Sequence, residues 1–321
     1  MSGLRVIEPG MLALVQDFGR FGWLAQGYSR GGPVDEHAFL WANRLLGNHF
    51  NAAQIEITLG GFSATAQASM KITVTGADVP VSVNGNSVPN WQVLQVNEGD
   101  KLAIGYARSG LRAYLAVAGG WQVTPVKGSC ATVRREQIGG LTGHGHALVA
   151  GDSLTPEAVN NSSQAVTGQR VKPDFIPDYT SKLVLDVMPA AQFQQFAASA
   201  REVFFSETYQ VIDKADRMGV RMKGAAVNWQ GAGLVSEPLP IGAIQVPSDG
   251  QPIIMLNDRQ TLGGYPKLGV LSWTAKNRLA QATPGSKIQF KEADAKPLQE
   301  QLKQVYRFFS VACQQAQNLR S

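Results

Sequence analysis

Short apolar runs separated by Gly, Asn, Asp and Pro dominate the chain from residue 54 to residue 117. Apolar runs of this kind, bounded by turn residues, are typical of β-strands. Between two such runs the pair Asn84-Gly85 predicts a tight hairpin, because its turn positions need a positive φ that Asn and Gly tolerate. The predicted strands are Gln54–Thr58, Met70–Thr75, Val79–Val83, Trp91–Val96, Lys101–Tyr106 and Leu111–Val117.

Two segments have helical spacing instead. Residues Glu36–Leu46 place apolar side chains on one face, with Asp35 positioned as the N-cap and Gly47 positioned to end the helix. Near the C-terminus, apolar residues recur at helical spacing from Pro297 to about Ala316, with proline in the first turn. We therefore expect one helix before the strands and one at the end of the chain.

The second half of the chain repeats this mixed pattern. Between residues 155 and 179 the periodicity is lost and Pro, Asn and Ser accumulate, which is typical of a solvated connection. We predict an N-terminal β domain at residues 1–155, a linker at 156–180 and a C-terminal β domain at 181–321. In the C-terminal domain we expect a helix beginning at Pro189 and strands at Leu183–Val187, Val203–Phe205, Ala243–Val246, Ile253–Leu256 and Val270–Trp273.

The composition supports a mostly β fold with few helices. The chain has 34 Gly and 16 Pro among 321 residues and only 17% charged residues, which favours many turns over a helical bundle or a disordered chain. The net charge of 29 − 24 = +5 is mild and the basic residues are scattered, so we expect no nucleic-acid partner. No apolar stretch reaches the ~18 residues of a membrane span and no leader pattern is present, so we expect a cytoplasmic protein without membrane association.

Several short motifs are better explained as loops than as chemistry. Gly27-Tyr28-Ser29-Arg30-Gly31 matches a nucleophile elbow, but further Gly and Pro follow it instead of a helix. His144-Gly145-His146 lacks a third ligand at a recognisable spacing, so we predict no metal site. Met222-Lys223 lacks the flanking residues of a biotinyl-lysine, so we expect no covalent biotin on this chain. Neither of the two familiar glycine-rich phosphate loops occurs.

Three polar clusters embedded in Gly and Pro hold the candidate functional residues. The first surrounds Asp17 and Arg20. In the second, Arg217 and Arg221 offer planar guanidinium groups to a carboxylate or phosphate, although salt bridges within a loop would explain them equally well. The third would bring amide, carboxylate and guanidinium groups to neighbouring strand ends, a common arrangement for a site. Its candidates are Gln245, Asp249, Gln251, Asp258, Thr261 and Tyr265.

At these clusters the sequence resembles the family of the 5-oxoprolinase C subunit, also described as KipA-like, allophanate hydrolase subunit 2-like or biotin-dependent carboxyltransferase-like. The resemblance spans nearly the whole chain. One departure is Cys130, within Lys127–Thr132, where the family pattern Gly-Ser-Arg-Ser/Ala-Thr has an arginine. The most specific segments are Asp216-Arg217-Met218-Gly219-x-Arg221, Gly242-x-Ile244-Gln245-Val246-Pro247-x-Asp249-Gly250-Gln251-Pro252 and Asp258-Arg259-Gln260-Thr261-x-Gly263-Gly264-Tyr265-Pro266.

The resemblance implies two cyclophilin-like β-barrel domains, and it implies a protein that works in a complex with a B-type (KipI-like) partner and an A-type partner. The implied activity is the ATP-dependent opening of the 5-oxoproline lactam to L-glutamate, with ATP and Mg held by the complex. On the matching positions we expect Arg217, Arg221 and Asp258 to be catalytic. Substrate or nucleotide binding is expected of Asp17, Arg20, Gln245, Asp249, Gln251, Thr261 and Tyr265.

Two other functions are compatible with the same fold and clusters. One is the carboxyltransferase half of a biotin-dependent, urea carboxylase-like enzyme, which would need biotin delivered by another chain. The other is a non-enzymatic regulator that binds a kinase-inhibitor-like partner without turnover. We rank the oxoprolinase complex first, because the sequence is a free-standing chain without carboxylase or biotin-carrier segments.

Overall fold

The computed structural model describes residues 3–158, 165–231 and 233–311. They form two compact units, each of which contains more than one segment of the chain. The predicted boundaries at 1–155, 156–180 and 181–321 stay predictions. Residues 165–180 of the expected linker fall in the first unit. The described residues of Met1–Phe21, Gly31–Thr180 and Phe309–Ser321 make the first unit, and those of Gly22–Arg30 and Ser181–Phe308 make the second.

The first unit is built from two antiparallel sheets. The six-stranded sheet has the order β11-β1-β4-β9-β6-β7, and the five-stranded sheet has the order β2-β3-β10-β5-β8. Inward-facing apolar side chains such as Val6, Ile57, Val74 and Leu115 form its core. The strands are β1 (Leu4–Pro9), β2 (Leu12–Gln16), β3 (Gln54–Thr58), β4 (Phe62–Ala66), β5 (Met70–Asp78), β6 (Val81–Val83), β7 (Asn86–Val88), β8 (Leu94–Val96), β9 (Lys101–Ile104), β10 (Ser109–Val117) and β11 (Ser153–Leu154).

Two local predictions in this unit are confirmed. Asn84 and Gly85, with φ of 52° and 79°, connect β6 to β7 as a tight hairpin. Helix α1 (Glu36–Leu45) begins after Asp35, whose Oδ1 accepts a hydrogen bond from the Ala38 N–H at 3.1 Å. The helix ends one residue earlier than predicted, and it packs on β5 and β10.

A buried polar network joins the start of α1 to the five-stranded sheet. The Tyr114 hydroxyl donates to Oε2 of Glu56 at 2.7 Å and accepts from the Asp35 N–H at 2.8 Å. The same Glu56 oxygen accepts from the Val34 N–H at 3.0 Å. Burial raises the pKa of Tyr114 well above its ordinary value, so its hydroxyl stays protonated as a donor.

The second unit contains a closed barrel with the strand order β12-β19-β16-β17-β14-β13-β20. It closes because β12 pairs in parallel with β20. A separate two-stranded ribbon pairs β15 with β18. The strands are β12 (Leu183–Pro189), β13 (Tyr209–Val211), β14 (Gly219–Lys223), β15 (Glu237–Pro238), β16 (Ala243–Gln245), β17 (Ile253–Met255), β18 (Leu262–Gly263), β19 (Lys267–Leu271) and β20 (Lys287–Glu292).

The helices of the second unit correct parts of the prediction. Helix α2 (Ala198–Ser206) includes the segment Val203–Phe205 that was expected to be a strand, while Pro189 ends β12 and begins no helix. The Phe204 ring is fully buried and stacks on Phe290 of β20 with ring centroids 4.4 Å apart, and this packing overrides the local strand preference.

Two further helices complete the unit. Helix α3 (Trp273–Leu279) is capped by Ser272, so Trp273 begins a helix instead of ending a strand. Helix α4 (Ala295–Phe308) begins two residues before Pro297, and the predicted helical residues after 311 lie outside the described residues.

Strands hold 33% of the residues and helices 17%, which confirms the predicted mostly β class. In the part of the chain that the structure describes, no helix is both long and apolar enough to span a membrane.

Candidate functional site

Two neighbouring barrel strands bring the predicted residues Arg217 and Asp258 together. Strand β14 pairs antiparallel with β17, with Gly219 opposite Met255. The chain enters β14 at the end of the barrel where it leaves β17, because the strands run in opposite directions. Accordingly, the Asp258 N–H donates to the Arg217 carbonyl at 2.9 Å.

Arg217 and Asp258 form a buried bidentate ion pair. Nε of Arg217 donates to Oδ2 of Asp258 at 2.9 Å, and Nη2 donates to Oδ1 at 2.8 Å. Both side chains are only 6% exposed. This geometry engages both carboxylate oxygens and fixes the plane of the guanidinium group. The pair therefore holds the loop before β14 against the loop after β17, and the catalytic roles expected for these two residues stay predictions.

Arg221 has a different environment, although it lies only four residues further along. On β14, Val220 and Met222 are buried, whereas Arg221 and Lys223 are exposed on the opposite face, as strand alternation requires. Among the residues that the structure describes, the side chains of Lys214, Arg221 and Lys223 form no ion pair or hydrogen bond. With no carboxylate bonded to them, these three cations favour the approach of anions.

A cleft of ≈ 180 Å³ opens beside Arg221. It brings together three of the predicted site residues, namely Arg221, Gln245 and Tyr265. The carboxylate of Asp216 also lies here, but its Oδ1 accepts from the backbone N–H groups of the following turn at 2.7 and 3.1 Å. We call this the smaller cleft; its lining residues are Lys214, Asp216, Met218, Gly219, Arg221, Gln245, Ile253, Met255, Gln260 and Tyr265.

The Gln245 side chain is held in place at the wall of the smaller cleft. It is buried, and its Nε2 donates to the Tyr265 carbonyl at 3.4 Å. A Cβ added at Gly263 would lie 2.7 Å from that nitrogen, so only glycine leaves room for the amide in its present position. Thr261, just before the ribbon strand, accepts the Leu239 N–H on its backbone carbonyl at 3.0 Å.

A second cleft of ≈ 340 Å³ adjoins the first, and Arg221 and Ile253 line both. It contains two more predicted residues, which shape its wall. Oδ1 of Asp249 accepts from the Gln251 N–H at 3.0 Å. In the Gln251 side chain, Oε1 accepts from the Gly224 N–H at 2.9 Å and Nε2 donates to the Gly224 carbonyl at 3.2 Å. We call this the larger cleft; its lining residues are Ile212, Arg221, Met222, Lys223, Gly224, Asp249, Gln251 and Ile253.

A salt bridge attaches the β15–β18 ribbon to the barrel. Nζ of the buried Lys267 lies 2.7 Å from Oε1 of Glu237 and donates to the Pro238 carbonyl at 3.2 Å. The Gln192 amide donates to the same Glu237 oxygen at 2.7 Å. The hydrogen bond from Lys267 lowers the pKa of the Glu237 carboxyl below its ordinary value.

Asp17 and Arg20 belong to the first unit, where they hold one loop. Asp17 accepts from the Ser129 hydroxyl at 2.6 Å and from the Cys130 N–H at 2.8 Å. Arg20 donates to the carbonyls of Val126 and Ser129 at 3.1 and 3.2 Å. Both side chains are buried. Their observed contacts fix the 126–131 loop, and the binding roles expected for them stay predictions.

Cys130, where the sequence resemblance led us to expect an arginine, lines a cleft of ≈ 250 Å³ in the first unit together with His49, Asn51 and Glu157. Burial, and secondarily the Asp17 carboxylate, raise the pKa of its thiol well above the ordinary value. A protonated thiol is a weak nucleophile, so Cys130 is not an activated cysteine.

The two motifs interpreted as loops show no catalytic geometry. The Ser29 side chain is fully buried, and its hydroxyl donates to the Arg259 carbonyl at 2.5 Å, so it is not a presented nucleophile. His144 and His146 have ring centroids 6.3 Å apart. Within the described ranges, no three His, Cys, Asp or Glu side chains are grouped as metal ligands would be.

Sequence reasoning did not identify Lys214, Lys223 and Gln260, which line the clefts. For Lys223 the signal was available, because it lies two residues after Arg221 and so shares its strand face. Gln260 lies inside the motif that begins at Asp258, and Lys214 lies two residues before the motif that begins at Asp216, but only the fold shows that they line the smaller cleft.

The family described as "Carboxyltransferase domain, subdomain A and B" matches residues 26–292. The chain belongs to this carboxyltransferase-domain family. Within it, the chain is 33% identical to the C subunit of the 5-oxoprolinase of Escherichia coli over 309 residues, which cover 94% of this chain and 93% of that protein.

Solved structures show the same fold. The urea amidolyase of Kluyveromyces lactis superimposes with a TM-score of 0.85 at 28% identity, over 92% of this chain and 19% of that chain. The protein TTHA0988 superimposes with a TM-score of 0.81 at 33% identity, over 91% of this chain and 55% of that chain. The chain thus spans about half of one solved relative and about a fifth of the other.

Proposed function

We propose that this chain is the C subunit of an ATP-dependent 5-oxoprolinase, acting in the cytoplasm with an A-type partner and a B-type partner. The observation that carries the proposal is the extent of the match. The E. coli C subunit is covered over 93% of its length, whereas the urea amidolyase chain is covered over 19%. The match therefore extends over nearly all of the E. coli C subunit and over only about a fifth of the urea amidolyase chain.

The smaller cleft is our candidate for the substrate site. 5-Oxoproline is an anion at neutral pH, with a carboxylate, a lactam N–H and a lactam oxygen. Arg221 and Lys214 supply cations that no carboxylate of the described chain engages, and Gln245 and Tyr265 supply polar groups for the lactam edge. In this proposal the Arg217–Asp258 pair holds the loops on which these side chains depend.

The reaction needs activation because a lactam carbonyl is a poor electrophile. When ATP is bound in the complex, its γ-phosphoryl group is transferred to the lactam oxygen and ADP is released. One water opens the C–N bond of the activated ring, and a second water releases phosphate, which yields glutamate. Arg221 and Lys214 would stabilise the negative charge that develops on the substrate during these steps. A preorganised donor of this kind typically contributes ~10²–10³ in rate.

Reconstitution of the complex tests the proposal. The purified chain is mixed with the A-type and B-type partners, and formation of glutamate and ADP from 5-oxoproline and ATP is followed. We expect turnover in the complete mixture and none in a mixture that lacks any one chain. Tight assembly of the chains without any 5-oxoproline-dependent ADP release would contradict the proposal and would favour a regulatory role.

A second candidate is a carboxyltransferase that uses biotin carried by another chain. The family description and the urea amidolyase fold favour it. The two candidates separate in one experiment, in which the chain is supplied with a carboxybiotin carrier and urea, and separately with the oxoprolinase partners, 5-oxoproline and ATP. Carboxylation of urea in the first mixture, with no glutamate in the second, would replace the first proposal by this one.

A further inference from the structure

Arg221 lines two clefts, and each cleft has a lysine of its own. Lys214 lines the smaller cleft and Lys223 lines the larger one. The guanidinium group has five N–H donors in a planar fork, so one arginine can bond two anions on different edges. The arrangement is therefore two cationic positions that share one arginine.

The acidic residues of the two clefts form no ion pair with these cations in the described part of the chain. Oδ1 of Asp216 accepts from two backbone N–H groups, and Oδ1 of Asp249 accepts from the Gln251 N–H. Neither carboxylate forms an ion pair with a lysine or arginine in the described part of the chain. By contrast, Arg217 of the same motif forms a bidentate ion pair with Asp258. The barrel thus pairs one arginine of this motif and leaves the other available to a ligand.

We infer that the larger cleft is a second anion site, which binds a phosphoryl group between Arg221 and Lys223 while the smaller cleft binds the substrate carboxylate. This inference rests on the proposed function, because it is the ATP-dependent step that places a phosphoryl group beside the substrate. A phosphoryl group carries up to two negative charges and three acceptor oxygens, which matches one arginine and one lysine.

The wall of the larger cleft is suited to hold such a group in one position. The Gln251 side-chain amide is hydrogen-bonded to the N–H and the carbonyl of Gly224, the residue that follows Lys223. This contact fixes the end of β14 and thereby the backbone that carries Lys223.

Equilibrium binding to the purified chain tests the inference without turnover. Inorganic phosphate and 5-oxoproline are titrated separately by calorimetry or NMR against the wild type and against Lys223→Gln, Lys214→Gln and Arg221→Gln. Lys291→Gln, at an exposed lysine on β20 outside both clefts, is the matched control. Because bonds to charged groups are strong, we expect each loss of a contacting cation to weaken binding by about tenfold.

The expected pattern is selective. Lys223→Gln should weaken phosphate and leave 5-oxoproline within about twofold, Lys214→Gln should do the reverse, and Arg221→Gln should weaken both. A parallel titration with ADP separates two sources of the phosphoryl group. ADP that competes with phosphate indicates a nucleotide phosphate, and ADP that does not compete indicates a free phosphate, and either result supports the site.

Two results would overturn the inference, namely no saturable phosphate binding, or phosphate binding that Lys223→Gln and Lys291→Gln change equally. In both cases the proposed function would stand if the reconstituted complex still formed glutamate. Conversely, the selective pattern combined with a complex that forms no glutamate would retain the phosphoryl site and remove the oxoprolinase assignment.

Discussion

The buried pair of Arg217 and Asp258 allows a sharp test of what these two residues do. Two hydrogen bonds of 2.9 and 2.8 Å join side chains that are each 6% exposed. Removing one partner of such a pair leaves an uncompensated buried charge and costs about 3–5 kcal/mol. We therefore expect Arg217→Met and Asp258→Leu each to destabilise the chain by about that amount. The double variant should be closer to the wild type than the sum of the single variants, because no charge is left unpaired.

Urea denaturation combined with hydrogen exchange of the β14 and β17 amides measures both effects, since exchange reports the second unit separately from the first. The matched control is Arg221→Met on the exposed face of the same strand, where we expect a change within about 0.5 kcal/mol. The reasoning is refuted if Arg217→Met folds with wild-type stability while glutamate formation is abolished. Arg217 would then act on the reaction itself and not through its hold on Asp258.

Three further outcomes follow from individual contacts. Because the pKa of Glu237 is lowered, its bond to Lys267 stabilises the fold above the ordinary pKa of 4.5, and this contribution is lost as the pH falls through the lowered value. The stability difference between wild type and Glu237→Gln, measured by urea denaturation, should therefore vanish in acid. Gly263→Ala places a Cβ against Nε2 of Gln245 and should raise the KM for 5-oxoproline about tenfold, and an unchanged KM would show that this amide does not contact the substrate. Cys130, with its raised pKa, should react with iodoacetamide only after denaturation, as peptide mass spectrometry would show.

Features set by neighbouring residues could be predicted from the sequence. Asn84-Gly85 predicted its hairpin and Asp35 predicted the start of α1, because backbone conformation and capping depend on a few adjacent residues. Helix α2 was missed for the opposite reason. Phe204 belongs to a helix because of its packing on Phe290, which is distant in the sequence.

The candidate site was predicted as a set of motifs but not as an arrangement. Arg217 and Asp258 stood out singly, yet their pairing depends on the register of β14 against β17, which no local pattern encodes. The same register decides that Arg221 is the arginine left available beside the clefts. The residues themselves indicated the polar clusters and the family resemblance implied their roles, whereas the different environments of Arg217 and Arg221 emerged only from the fold.

The most direct test of the central claim is the KM for 5-oxoproline of the reconstituted complex, with wild-type chain and with Arg221→Gln, at saturating ATP. Our account predicts glutamate formation by the wild-type complex and a KM raised at least about tenfold in the variant, with assembly of the complex unchanged. Glutamate formation with the same KM in both complexes would show that the substrate is bound elsewhere. Absence of glutamate formation by the wild-type complex would contradict the proposed function itself.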